Sequence, residues 1–243
     1  MSVADHLTRC AWFDALEAPH RALLLGSARL VQAMPGQCLA RAGDEARYWF
    51  GVVHGILKMY VIDSTGNETT LFCLCAGEWG GEGSILKQEP RRYHLVALTP
   101  STVCQVPAST FRRLCAESLA FNQFLLTNMN KHMGVFVGIL QATRLLGPEL
   151  RVAQCLLLLA GAREQAEASI DIRQHDLAQV SGLSRQRTNA ALGALKQLGL
   201  VKVLPSGSLE VRPLALQNYV AGCDGAAAAG AMQGVDPEVD SAP

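Results

Sequence analysis

The period of the apolar positions changes along the chain, and each change marks a boundary. Over residues 1–34 the apolar positions Leu7, Ala11 and Leu16, then Leu23, Leu24, Leu25, Leu30 and Val31, interleave with polar ones in a helical manner. Pro35–Gly36 stops that pattern. From 36 to 107 the runs shorten. Residues 48–53, 56–62, 69–75, 93–98 and 103–106 favour strands, and His54–Gly55, Asp63–Asn67, Ala76–Gly77, Thr99–Ser101 and Pro107 close them. Short strands at regular spacing with such turns predict an antiparallel jelly roll rather than a parallel sheet with crossover helices.

Helical spacing returns at 109–146. Ser109 is placed to cap a short helix that runs to Cys115, and a long helix follows from about Ser118 to Leu146. In it Leu125, Met129, His132, Phe136, Ile139, Thr143 and Leu146 alternate at spacings of four and three, the seam of a two-stranded coiled coil. The same stripe equally suits packing onto the sheet of its own subunit. A second apolar set, Phe124, Leu126, Met133, Val137 and Leu140, lies on neighbouring faces. A helix that is apolar on more than one face has to be covered on more than one face. One cover can be the β-domain and the other a second copy of the chain. Gly147–Pro148 then separates this helix from another at 149–162 and reads as a hinge.

Residues 173–212 read as a winged helix-turn-helix. Leu177, Ala178 and Val180 share a face of a first short helix, and Gly182 supplies the left-handed turn residue. Ser184 caps the second helix, whose Leu192, Leu195 and Leu198 are expected to turn inward. Arg185, Gln186, Arg187 and Asn189 fall in its first two turns, clear of that stripe. The amino end of a recognition helix enters the major groove first, where Arg pairs with guanine and Asn or Gln with adenine. Gln174 and Lys202 are further candidates for DNA contact, Lys202 from a wing folded around Pro205–Gly207. The regions predicted are therefore 1–116 (amino-terminal helices and β-roll), 117–147 (dimerisation helix and hinge), 148–220 (DNA-binding domain) and 221–243. That last stretch is rich in Ala and Gly and is expected to be disordered.

Charge sharpens this picture. The 243 residues hold 21 Lys plus Arg against 21 Asp plus Glu, so bulk charge cannot hold nucleic acid or an anionic membrane. Between Arg173 and Arg212, however, six basic residues face two acidic ones, a local patch of the right sign. Hydrophobic residues make up 49% of the chain, ample for a core, and aromatics only 6%, so the interior should be mainly aliphatic. The most apolar stretch, 155–162, is far short of the ~20 residues a membrane span needs, and residues 1–10 lack the apolar core of a secretory signal. A cytoplasmic protein without a membrane partner is expected. The eight cysteines include no Cys-x-x-Cys; most are expected to be small buried hydrophobes, with Cys73 and Cys75 on one face of a strand. No nucleophile elbow, Walker loop or His-Glu-x-x-His occurs, and no catalytic residue, enzyme activity or metal site is expected.

With these residues in order, the chain resembles the Crp/Fnr family of bacterial transcription regulators over about residues 20–220. Ser184, Arg185 and Gln186 are similar to the start of that family's Ser-Arg-Glu-x-x-x-Arg reading motif, while Ala190 stands where its second arginine would be. The resemblance implies an α+β fold: an antiparallel jelly roll of the cyclic-nucleotide-binding type, a long dimerisation helix and a winged helix-turn-helix. It implies palindromic double-stranded DNA, a second copy of the chain and RNA polymerase as partners. It also implies a small effector in the β-roll, a nucleotide or another molecule. Gly81–Glu82, nine residues, then Arg92–Tyr93 resembles the phosphate-binding cassette, with Gly83 and Ser84 inside it and Phe136 facing it from the long helix. Glu82 would accept from a ribose hydroxyl and Arg92 would pair with a phosphate. Tyr93 in place of a small hydroxyl residue, and Phe136–Val137 in place of Thr-Ser, argue against cAMP itself. Cys10 and Cys38 stand too far apart for the family's iron–sulfur type. His54 is read as an exposed turn residue rather than a haem ligand. The competing reading is a small-molecule or thiol-redox sensor, built on the Gly-rich cassette and Cys73/Cys75, that does not read DNA.

Overall fold

The computed structural model describes residues 2–161 and 167–232. Three short helices come first: α1 (Val3–Leu7), α2 (Ala11–Asp14) and α3 (Ala18–Ser27). The helical expectation to residue 34 fails at its end. Leu30 and Val31 lie in strand β1 (Arg29–Ala33), where they pair with Cys104 and Val103. A five-residue segment takes its state from the strand it meets, not from its own spacing.

The β-roll is two antiparallel four-stranded sheets. One has the order β1, β8 (Ser101–Pro107), β3 (Tyr48–His54), β6 (Trp79–Gly80). The other has the order β2 (Cys38–Ala40), β7 (His94–Ala97), β4 (Ile56–Ile62), β5 (Glu68–Cys75). Between them pack Phe50, Val52, Leu57, Leu74, Leu95 and Val103, all essentially buried. A second cluster joins Trp49, Trp79, Phe111 and Phe121 beneath the amino-terminal helices. Seven of the fourteen aromatic residues gather in this cluster, while Phe50 and Phe72 lie in the core between the sheets.

Gly55 makes the β3–β4 turn at φ +88°, where a Cβ would lie 2.6 Å from the Pro100 carbonyl oxygen and closer still to Ser101 Oγ. Gly66 has the same φ with open space around it. Gly55→Ala is expected to cost more than about 2 kcal/mol, because it adds collision with backbone to an unfavourable dihedral. The corresponding fall in Tm is at least roughly 5 °C. Gly66→Ala should lose only part of that, and equal melting shifts for the two variants would contradict the steric reading.

After β6 a short helix, α4 (Glu82–Lys87), is followed by β7 and β8 and then α5 (Ala108–Glu117). Ser109 lies inside α5 rather than capping it; the cap position is Pro107. The long helix α6 (Leu119–Leu145) is capped by Ser118, whose hydroxyl accepts from the Phe121 amide at 3.2 Å. Its expected seam divides. Leu125 and His132 are buried against their own β-roll, and Ile139 is half-buried there. Met129 and Phe136 are 41% exposed, and Leu126, Met133, Val137 and Leu140 stand out at 53–68%. The outward apolar stripe is therefore mainly the second set.

Gly147 precedes α7 (Pro148–Ala160), with proline at its first position. Strand β9 (Ala168–Ile170), helices α8 (Gln174–Ser181) and α9 (Arg185–Gln197), and strands β10 (Val201–Val203) and β11 (Leu209–Val211) follow, the sheet order being β10, β11, β9. Helix α10 (Pro213–Met232) runs through the first part of the expected disordered tail. Leu216 and the half-buried Tyr219 and Val220 dock its start against α7, and an alanine-rich continuation favours helix over coil. Residues 233–243 lie outside the described ones.

Candidate functional site

Helix α9 is set on the surface by two local devices. Ser184 Oγ accepts from the Arg187 amide at 3.3 Å, so the helix starts where the sequence places it. Gly182 takes φ +62° and ends α8, and Arg151 from α7 donates to the Ser181 and Gly182 carbonyls at 2.7 and 3.1 Å. A Cβ at Gly182 would lie 2.9 Å from that guanidinium. Sequence spacing does not single out Arg151, whose role depends on contact across about thirty residues of chain.

Beneath α9, Thr188, Ala191, Leu192 and Leu195 are buried. Leu198, expected inward, is 58% exposed, because it caps the helix and points past the core. On the outer side Ser184, Arg185, Gln186, Arg187 and Asn189 are all exposed. Gln174 at the start of α8 is exposed as well. Lys202 is exposed on the wing, 3.4 Å from Glu210 on the paired strand. Neither Arg185 nor Arg187 makes an ion pair among the described residues, so both guanidinium groups present their full donor sets to solvent. This is a surface that can hydrogen-bond base edges and phosphates.

The cassette of the β-roll is arranged differently from its sequence reading. Gly81 (φ +94°) starts α4, Glu82 and Ser84 are buried, and Gly83 is half-buried. Arg92 does not enter the cradle. It is exposed and pairs with Glu89 at 3.1 Å. Arg91 enters instead, only 3% exposed, donating to the Gly81 carbonyl at 2.5 Å and to the Tyr48 carbonyl. Its backbone is held to Gly43 and Asp44 by hydrogen bonds of 2.8 Å, which fixes which of the two adjacent arginines turns inward. The half-buried Tyr93 places its hydroxyl 3.4 Å from Arg91. His132 of α6 faces Glu82, Nδ1 to Oε1 3.8 Å, and stands edge-on to Phe72, which also meets Phe136 at 5.4 Å. Glu82 Oε2, Arg91 Nε and His132 Nε2 are buried without hydrogen-bond partners. Three such atoms at one place are a demand for a polar occupant.

The two halves touch. Lys58 on β4 is buried, ion-paired to Glu68, and donates to Gln179 Oε1 of α8 at 2.8 Å. Ile56 and Cys75 join the core of the carboxy-terminal half, where the Cys75 thiol reaches the Leu158 carbonyl at 3.5 Å. Cys73 packs there too, as the shared strand face requires. Burial raises the Cys73 thiol pKa well above its ordinary value and pushes that of Cys155 up to about 12. Thiols held protonated are poor nucleophiles, which counts against the redox-sensor reading. His54 is exposed at the end of β3, and no group of three metal-ligating side chains occurs among the described residues. No helix among them is long and apolar enough to cross a membrane.

Comparison with known proteins assigns both halves. Residues 30–118 match the family described as Cyclic nucleotide-binding domain, and residues 150–216 match the Crp-like helix-turn-helix domain. The chain is 29% identical over 192 residues to the Cyclic AMP receptor protein of Thermus thermophilus, covering 76% of this chain and 85% of that one. Its fold is similar to FixK2 from Bradyrhizobium japonicum (TM-score 0.70, 17% identity, 79% of this chain and 96% of that one). It is also similar to a cyclic nucleotide binding protein from Ruegeria pomeroyi (TM-score 0.65, 21% identity, 90% and 99%). The matched families are regulators, not enzymes.

Proposed function

The chain belongs to the Crp/Fnr family of transcription regulators, and from that premise we propose that it reads a palindromic operator as a homodimer under the control of a small effector. The observation that carries the reading is the division of α9. Arg185, Gln186, Arg187 and Asn189 stand free on its outer side over a buried Thr188, Ala191, Leu192 and Leu195. Two copies paired along the exposed face of α6 present two such helices to one side of a duplex. The cradle around Glu82, Arg91 and His132 takes the effector. Its unpartnered atoms call for a ligand with both donor and acceptor groups, and the buried guanidinium favours an anionic one.

The link between the two events runs through α6 and the β4–α8 contact. His132 faces the cradle from α6, and the same helix leads to Gly147–Pro148. Lys58 ties the effector-bearing sheet to α8. An effector that binds one arrangement of these contacts better than another shifts the population of DNA-competent dimers by that difference in affinity. RNA polymerase is the further partner the family reading implies, and a cytoplasmic location goes with it.

In-vitro selection of random duplexes by the full-length chain is the test. It should enrich an inverted repeat whose half-sites are centred about one helical turn, ~34 Å, apart. Enrichment of lone half-sites, or of nothing, overturns the dimeric reading.

A further inference from the structure

We propose that a cavity on the other side of β6 from the cradle is a second binding site, for a small planar aromatic carboxylate. The cavity, about 410 Å³, lies between α1, α2, β6 and α6, within the size range of small-molecule sites. Part of its wall is aromatic. Trp12 stacks on Phe124 with ring centres 4.8 Å apart and stands edge-on to Trp79 at 5.2 Å. His6 stacks on Trp79 at 5.7 Å.

The polar groups of this site are unbalanced towards donors and positive charge. Nε2 of His6 is buried without a hydrogen-bond partner, the buried indole Nε1 atoms of Trp12 and Trp79 have only the Cys10 thiol as an acceptor, and His6 and Trp79 are themselves 5% and 2% exposed. The indole N–H groups lie beside the Cys10 thiol, where they oppose the upward push of burial on its pKa. Sulfur is a weak acceptor, so two strong donors remain poorly served. Arg9 at the rim makes no ion pair among the described residues, and its charge adds to burial in lowering the His6 pKa. On the opposite rim Lys131 is 2.7 Å from Glu78, the one acidic side chain lining the cavity. The other oxygen of Glu78 accepts the Cys75 amide at 2.9 Å, so this carboxylate is fully engaged. What the site lacks is an acceptor anion, and what its walls fit is a ring. An aromatic acid supplies both, its ring against the half-buried Trp12 and Phe124 and its carboxylate towards the donors and the cationic rim.

The site shares two elements with the cradle. Trp79 and Gly80 form β6, which leads directly to Gly81–Glu82. Asn128 of α6 donates to the Trp79 carbonyl at 3.0 Å, one turn before His132.

The chain's three tryptophans, Trp12, Trp49 and Trp79, all belong to this cluster, so indole emission excited at 295 nm reports on it. Titration of the full-length protein with phenylacetate and with benzoate should give saturable emission changes, and calorimetry should give one site per chain. Acetate, which lacks a ring, and benzyl alcohol, which lacks a charge, should give neither. Affinity should fall at least tenfold in the double variant Arg9→Ala/Lys131→Ala and in Trp12→Phe, which keeps a ring and loses the N–H. Arg92→Ala, at the surface beyond the cradle, should bind like the parent. Operator binding, measured separately, tests the regulator reading without touching this one. Absence of saturable binding by both aromatic acids overturns the proposal, and so does binding that the rim variants leave unchanged.

Discussion

Val137→Glu is expected to convert the protein to a monomer and to weaken binding to its selected operator by roughly a thousandfold. The side chain is 56% exposed on α6, between Met133 and Leu140, and none of these three belongs to a core cluster of its own subunit. A helix of 27 residues with Leu126, Met133, Val137 and Leu140 facing water has no reason to keep that face unless another surface covers it. In a dimer with two-fold symmetry the substituted glutamates face each other or nearly so, taking charge into a desolvated seam. Loss of the second half-site then removes the avidity gain, typically about 10²–10⁴. Sedimentation equilibrium and operator titration read the two effects. Thermal melting of the monomeric fold should hardly change, because Val137 supports little within its own chain. A variant that stays dimeric and binds normally would show that another face of α6, or another element, makes the contact.

How much of this was legible in the sequence varied with the range of the interactions involved. The helix-turn-helix was legible because its punctuation is local. A left-handed glycine at 182 and a capping serine at 184 act over three or four residues, and they fix the frame from which Arg185 and Asn189 project. Strand β4 was legible to the residue, because His54–Gly55 and Asp63–Asn67 bound it with turn chemistry; Asp63 accepts three hydrogen bonds from Thr65 and the Asn67 backbone in that turn. Strand β1, strand β2 and helix α4 were not legible. Each is short, and the two strands owe their state to partners distant in sequence.

The cradle shows the same limit more sharply. Spacing selects Arg92, but the backbone pairing of Arg91 with Gly43 and Asp44 turns Arg91 inward and leaves its neighbour to Glu89. Adjacent side chains on a non-helical segment point apart, so an error of one residue exchanges inside for outside. The faces of α6 pose a related problem. Two apolar stripes are visible in the sequence, and only the position of the β-roll decides which is covered within the subunit. The Lys58–Gln179 contact left no sequence signal at all, since a lysine on a strand ordinarily points to water and its burial here depends on Glu68 and on a helix more than a hundred residues away.

At the DNA surface the sharpest expectation concerns Arg185. Arg185→Ala should cost about 1–3 kcal/mol on the selected operator, roughly a five- to 150-fold loss, and should relax the preference at one position of each half-site. The reason is geometric. The residue is exposed in the first turn of α9, immediately after the capping Ser184, with no carboxylate within ion-pair distance among the described residues. A guanidinium in that place can approach a guanine edge with two donors, whereas Lys202 on the wing is already neighbour to Glu210 and is placed for backbone contact. The two should therefore separate by readout. Lys202→Ala should weaken operator and random duplex alike and reduce the salt dependence by about one phosphate contact, without changing the selected sequence. Because Arg185 supports no core contact, its variant should melt with the parent, so a loss of binding cannot be charged to unfolding. Equal losses on operator and random DNA for Arg185→Ala would place this arginine on the phosphates, and base reading would then have to rest on Gln186 and Asn189.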